Sequence, residues 1–205
     1  SACCAGASYG VSAAEAYVRP TRVTSLPEQL TQLLQTLDAE SDRGLVLVGA
    51  AAVDLALEDL LRAYFVATDA AVDRLLESDR ALGSFSSRTL AAYACGLLER
   101  EEFQEIELIR RIRNECAHSH TPISLDTPPY SDRIREFRSL DYSLTLLQTV
   151  RNKTLTDQGK TSRSRFLMAV AFQVLWLNWR AERVSHRVLP DMRDSQKSVF
   201  SEGAA

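Results

Sequence analysis

Two stretches of this chain are apolar on nearly every side, and they constrain its fold more than anything else in it. Gly44 to Val53 runs without a polar side chain, and Phe166 to Trp179 is interrupted only by Gln173 and Asn178. A helix that is apolar all round has to be covered on several sides by other elements. The first stretch therefore predicts a central helix. The second predicts either a central helix or a dimer interface. Neither approaches the roughly 20 apolar residues of a membrane span, and Asp54, Glu58 and Asp59 follow the first at once, so no membrane segment is expected. Eight Gly and six Pro in 205 residues are too few for the many turns of a β-rich domain. The expected fold is an all-α, compact multi-helix bundle of about six or seven helices.

The periodicity places those helices. Leu30, Leu33, Leu34 and Leu37 form one stripe behind Pro27, which suits a first turn because the N–H it lacks has no partner there anyway. Ser41 or Asp42 can cap a helix running to about Phe65. A short helix is expected over 69–78. Another is expected over 87–98, capped by Ser84 or Ser86, with Leu90, Tyr93, Ala94 and Leu97 as its buried face. From Arg100 to Ser119, Glu101, Glu102 and Glu105 come early and Arg110, Arg111 and Arg113 late, as the helix dipole favours. Phe103, Ile106, Ile109, Ile112 and Cys116 are its expected buried stripe. A proline-rich loop over 121–130 precedes a helix from about Ser131 or Leu140 to Thr149, and a last helix is expected over 162–188. Residues 1–25 and 191–205 are expected to be flexible tails around a single domain, 26–190.

The cysteines are Cys3, Cys4, Cys95 and Cys116, with no Cys-x-x-Cys or Cys/His metal spacing. No disulfide, metal site or cofactor is expected, and Ser1 to Gly10 has neither the basic start nor the apolar core of a secretory leader. The chain reads as cytoplasmic. Its net charge of −3 conceals an asymmetry: residues 28–107 carry a balance of −10, and 133–187 one of +7. Opposite halves attract within one fold or across a dimer, or the basic half meets an anionic partner such as RNA, DNA or an acidic protein.

The chemistry-bearing candidates lie at the end of the fifth helical segment. Asn114 and His118 share a helix face at i, i+4, with Arg113 beside them and Arg110 one turn earlier. Such a group can bind a phosphate, because Arg offers paired N–H donors and His exchanges a proton near neutral pH. The same residues can equally be structural, with His118 closing a helix end. Asp54 and Glu58 on the second helix are placed to hold the Arg from across the interface. Lys160, Arg163 and Arg165 are a possible anion-binding group, or a solvated face. No phosphate loop, metalloprotease motif or DNA-reading helix appears.

Three blocks resemble the mannitol-repressor family. They run from Asp42-Arg43-Gly44-Leu45 through Ala56-Leu57-Glu58-Asp59-Leu60-Leu61, then Leu82-Gly83-Ser84-Phe85-Ser86-Ser87-Arg88, then Glu107 to His118. The resemblance implies a compact all-helical bacterial regulator, a repressor of a sugar-alcohol operon or a relative, that is not an enzyme. It also implies action through a protein partner, since that family lacks an evident DNA-reading motif. A shorter resemblance runs from Arg113-Asn114 to His118, similar to the Arg-x4-6-His motif of HEPN domains. This implies the alternative, a metal-independent endoribonuclease in which Arg113 stabilises phosphate charge, His118 moves a proton and Asn114 orients them.

Overall fold

The computed structural model describes residues 26–66, 69–138 and 161–187. Among them every regular element is a helix: α1 (Leu26–Asp38), α2 (Asp42–Tyr64), α3 (Ala70–Leu76), α4 (Phe85–Ala94), α5 (Arg100–His118), α6 (Tyr130–Ile134) and α7 (Ser162–Ala181). The expected flexible tails, Lys160 and the helix expected to end at Thr149 lie outside the described residues, apart from the α6 turn.

The two all-apolar stretches pack against each other. α2 and α7 form the most extensive helix pair, with α1 and α5 against them. Leu45, Val53, Leu57, Phe166 and Val170 have no exposed surface. Each large aliphatic side chain so buried contributes about 1.5–3 kcal/mol. Of the two options for Phe166 to Trp179, the core is the answer for most of it, because Phe166 to Val174 and Leu177 are buried within one chain. Close approach of α2 and α7 depends on Gly49: a Cβ there would lie 3.1 Å from Val170 Cγ1.

The helix starts follow local chemistry. Ser41, Asp69, Ser84 and Thr161 each accept a backbone N–H from the first turn of their helix. Gly96, at φ +71°, turns the chain out of α4 in a conformation that disfavours a side chain.

A knot of charge ties the helix ends together. Asp42 accepts the Leu125 N–H at 2.8 Å and pairs with Arg163 at 2.6 Å. Arg163 also donates to the carbonyls of Asp38 and Glu40. Arg43 donates to the carbonyls of Cys116, Ser119 and Thr121, closing the C-terminal end of α5. Arg180 pairs with Glu102 at 3.0 Å, and Arg133 pairs with Glu115. The opposite charges of the two halves are thus in part joined within one chain.

Two expectations need correction. α7 ends at Ala181 rather than near 188. The face of α4 is also different: Leu90 and Tyr93 are exposed, while Arg88, Thr89 and Ala92 are buried. The cause is the ion pair described next.

Candidate functional site

α2 presents Asp54 and Glu58 one turn apart, both half-buried, toward α4. Arg88 of α4, only 7% exposed, fills the space between them. Its Nη1 lies 2.9 Å from Asp54 Oδ1, and its Nη2 lies 3.0 Å from Glu58 Oε2. Nη2 also donates to the Leu76 carbonyl at the end of α3, at 3.2 Å. Glu58 in turn accepts from Arg62 at 3.0 Å, and Arg62 reaches Asp73 at 2.5 Å. The result is an alternating chain of charge, Asp73–Arg62–Glu58–Arg88–Asp54, that joins α2, α3 and α4.

Asp54 and Glu58 therefore hold Arg88 and not Arg113. Arg113 is exposed on α5 and reaches Asp54 through its electric field alone. Burial is the largest influence on Asp54 and raises its pKa above the usual carboxylate range; Glu58 adds to the rise, and Arg88 and Arg113 oppose it. Arg88 was not singled out from sequence. One signal was present: it is the only charge in the ten residues of α4, beside a carboxylate pair that needed a cation.

The end of α5 carries the other candidates. Arg113 donates to Asn114 Oδ1 at 3.1 Å. Arg113 and His118 are exposed, and Asn114 is half-buried. Arg110 is engaged by Glu107 in a two-pronged pair at 2.9 and 2.7 Å, which raises its pKa despite partial burial. Arg110, Arg113, Asn114 and His118 thus share the last turns of one helix, with Asp54 and Glu58 turned to α4. Cys116, on the inner side of that segment, is a free and buried thiol; burial pushes its pKa up, against the pull of Arg43.

The basic start of α7 faces inward. Arg163 is bound to Asp42 and the end of α1, and Arg165 donates to the Phe137 carbonyl at 3.2 Å. Sequence reasoning also missed a buried polar pair. Gln173 donates to Glu105 at 3.1 Å inside the bundle, and Glu105 accepts the Arg138 N–H at 2.5 Å. By charge order alone Glu105 reads as one of the early acidic residues that the dipole of α5 favours. Gln173 carried a signal, as one of two polar interruptions of an apolar helix.

The sequence matches the profile of the mannitol repressor family over residues 29–173, most of the chain and all of the elements just described from α2 to α6. The chain belongs to the mannitol repressor family. Among solved structures, this family member is similar to the X-ray structure of the MtlR-HPr complex from Escherichia coli, at 20% identity and a TM-score of 0.57. The match covers 73% of this chain and 98% of that one, and it establishes a shared fold. No curated protein sequence matches the chain. In this family member the Asp42–Arg43 block closes the knot at the helix ends, and Arg88 docks α4. No helix of the described residues is long and apolar enough to cross a membrane.

Proposed function

We propose that the chain is a cytoplasmic transcriptional regulator of the mannitol-repressor type, which controls a sugar-alcohol operon or a related one by docking a protein rather than by reading DNA. The observation that carries this reading is the family match over residues 29–173. Supporting it, the solved protein of the same fold was captured as a complex with HPr. The partner proposed here is accordingly HPr from the same organism. Isothermal titration of the purified chain with that HPr is the test. Saturable 1:1 heat supports the reading, and no heat at micromolar concentrations of either protein removes HPr as the partner. Self-association as a homodimer is part of the proposal, and a monomer mass by light scattering removes it.

A second reading has one observation in its favour. Arg113 and His118 are both open to solvent on the same helix end, with Asn114 hydrogen-bonded to Arg113. That arrangement suits a metal-independent ribonuclease with Arg113 on the phosphate and His118 as the proton carrier. Incubation of mixed single-stranded RNA with chelator tests it. Cleavage by the parent and not by His118→Ala would move the function to this class, and no cleavage by either would remove it.

A further inference from the structure

α3 and α4 leave the bundle and return to it at two points that the C-terminal end of α7 and the residues after it hold. Where α2 ends, the Tyr64 carbonyl accepts the Arg187 N–H at 3.0 Å, and His186 Nδ1 lies 2.8 Å from the Phe65 carbonyl. Where the chain rejoins the bundle, Arg180 donates to the Leu97 carbonyl at 2.8 Å and pairs with Glu102, and Leu97 and Leu98 are buried. Between Cys95, which ends α4, and Leu97 stands Gly96 at φ +71°, with nothing within 4 Å of the place a Cβ would take. The Leu97 N–H reaches back across this joint to the Ala92 carbonyl at 2.9 Å. A residue of this kind at the end of an element can absorb the change in φ and ψ that a hinge needs.

The excursion is knit to itself. Leu82 donates its N–H to the Leu75 carbonyl and Gly83 to that of Arg80, both at 3.0 Å, and a Cβ on Gly83 would strike the backbone of Glu77 and Ser78. Arg88 Nη2 joins α4 to the end of α3 through the Leu76 carbonyl. Its apolar attachment to the bundle is thin. Leu76 and Ala92 are the only buried apolar side chains of α3 and α4, whereas α7 is buried without a break from Phe166 to Val174. Val72, Leu82, Phe85 and Ala91 are half-buried against the core, and Tyr93 stacks on Phe103 with ring centroids 4.5 Å apart. The rest of the attachment is charge: Arg62 to Asp73, and Arg88 to Asp54 and Glu58. Ion pairs in such a site gain little beyond the cost of desolvating them, so these orient α4 more than they stabilise its attachment. A segment with so little apolar burial against the entropy of ordering it opens before the core does.

We propose that residues 69–95 form a unit that opens from the bundle in one step, hinged at Gly96 and latched by Arg88, while α1, α2, α5 and α7 stay closed. Opening bares the Asp54–Glu58 pair of α2 and gives the molecule a second form that a partner can select. The unit is a property of the chain alone, whichever partner it meets. Native-state hydrogen exchange of the full chain, over urea concentrations below the unfolding transition, tests it. Relative to intrinsic rates, the amides of Thr89 to Ala94 should exchange as one group, about 100-fold faster than those of Val53 to Leu61 and Val170 to Leu177. Their urea dependence should be smaller, because opening exposes less surface than unfolding. Two variants separate opening from unfolding. Val170→Ala weakens the open and closed forms alike, so it should accelerate the α2 and α7 amides about tenfold or more and leave those of α4 within about twofold. Arg88→Lys weakens the closed form alone, so it should accelerate both groups by one common factor. Exchange of the α4 amides with the protection and urea dependence of α2 and α7 would overturn the unit, as would their acceleration by Val170→Ala. Rates in α4 that scatter residue by residue without urea dependence would also overturn it, by showing fraying in place of a common opening.

Discussion

Arg88 Nη1 lies 2.9 Å from Asp54 Oδ1, and this pair fixes which side of α4 meets the core and which meets water. Because Glu58 shares the same guanidinium, removal of Arg88 leaves two carboxylates facing each other in a half-buried site. Arg88→Met should destabilise the fold by about 3–5 kcal/mol, the cost of stranding buried charge. Arg88→Lys should lose less, since it keeps the charge and gives up the fork geometry. The triple variant Arg88→Met/Asp54→Asn/Glu58→Gln should recover much of the loss, because no unpaired charge remains. Urea unfolding of the three proteins reads all of this; equal stability of Arg88→Met and the parent would refute it.

Asp54 gives the site a pH signature. Its folded pKa is raised above the ordinary 3.8, chiefly by burial and then by Glu58. Below 3.8 the carboxyl is protonated in both states and imposes no penalty. As the pH rises from 3.8 through the folded pKa, the unfolded chain releases its proton first, so the stability associated with this group is lost across that window. A carbon-13 carboxyl titration should place Asp54 above 3.8. In Arg88→Lys, which holds its charge farther from the carboxylate, the same resonance should titrate higher still. A value below 3.8 in the parent would show that the pairing outweighs burial.

The sequence made the helices legible, but not the orientation of α4. Leu33, Leu37, Ile106, Ile109, Ile112 and Cys116 are buried as their spacing predicts, because on those helices the apolar stripe alone decides the buried side. On α4 an ion pair with residues 30 and 34 positions away decides it, and periodicity carries no information about such a partner. The same limit hid the Glu105–Gln173 pair, which joins α5 to α7 across 68 residues. At the candidate site, the neighbourhood of Arg113, Asn114 and His118 was readable from i, i+4 spacing, whereas the partner of Asp54 and Glu58 was not. The basic residues of α7 were legible as charge but not as internal ties, since Arg163 meets Asp42 across 121 positions of sequence.

Arg43 holds the C-terminal end of α5 through three carbonyls, at 3.1, 2.9 and 2.8 Å. The Cys116 and Ser119 oxygens are among the acceptors that a helix end leaves without intrahelical donors, and the Thr121 oxygen belongs to the loop that follows. Arg43→Ala should cost about 1–3 kcal/mol, and the effect should be local as well as global. Amide exchange of the last α5 turns, Ile112 to Ala117, should accelerate more than that of Ile106 to Arg110. Uniform acceleration along α5 would argue against a capping role and for a general loss of stability.

Gly49 tests the α2–α7 contact directly. In an exposed helix interior, Gly→Ala stabilises by about 1 kcal/mol through propensity. At position 49 the added Cβ would meet Val170 Cγ1 at 3.1 Å and Cγ2 at 3.3 Å. Val170 is fully buried on α7, and a β-branched side chain in a helix has essentially one χ1 rotamer, so it has nowhere to turn. Overpacking of this kind costs about 1–3 kcal/mol and outweighs the propensity gain. Gly49→Ala should therefore destabilise the protein. Val170→Ala alone should also destabilise it, by the cavity it leaves. Together the two should be less harmful than their sum, because the new methyl enters the space that the valine vacates. A double-mutant cycle by urea unfolding measures the coupling; strict additivity would show that α2 and α7 adjust their separation independently of this contact.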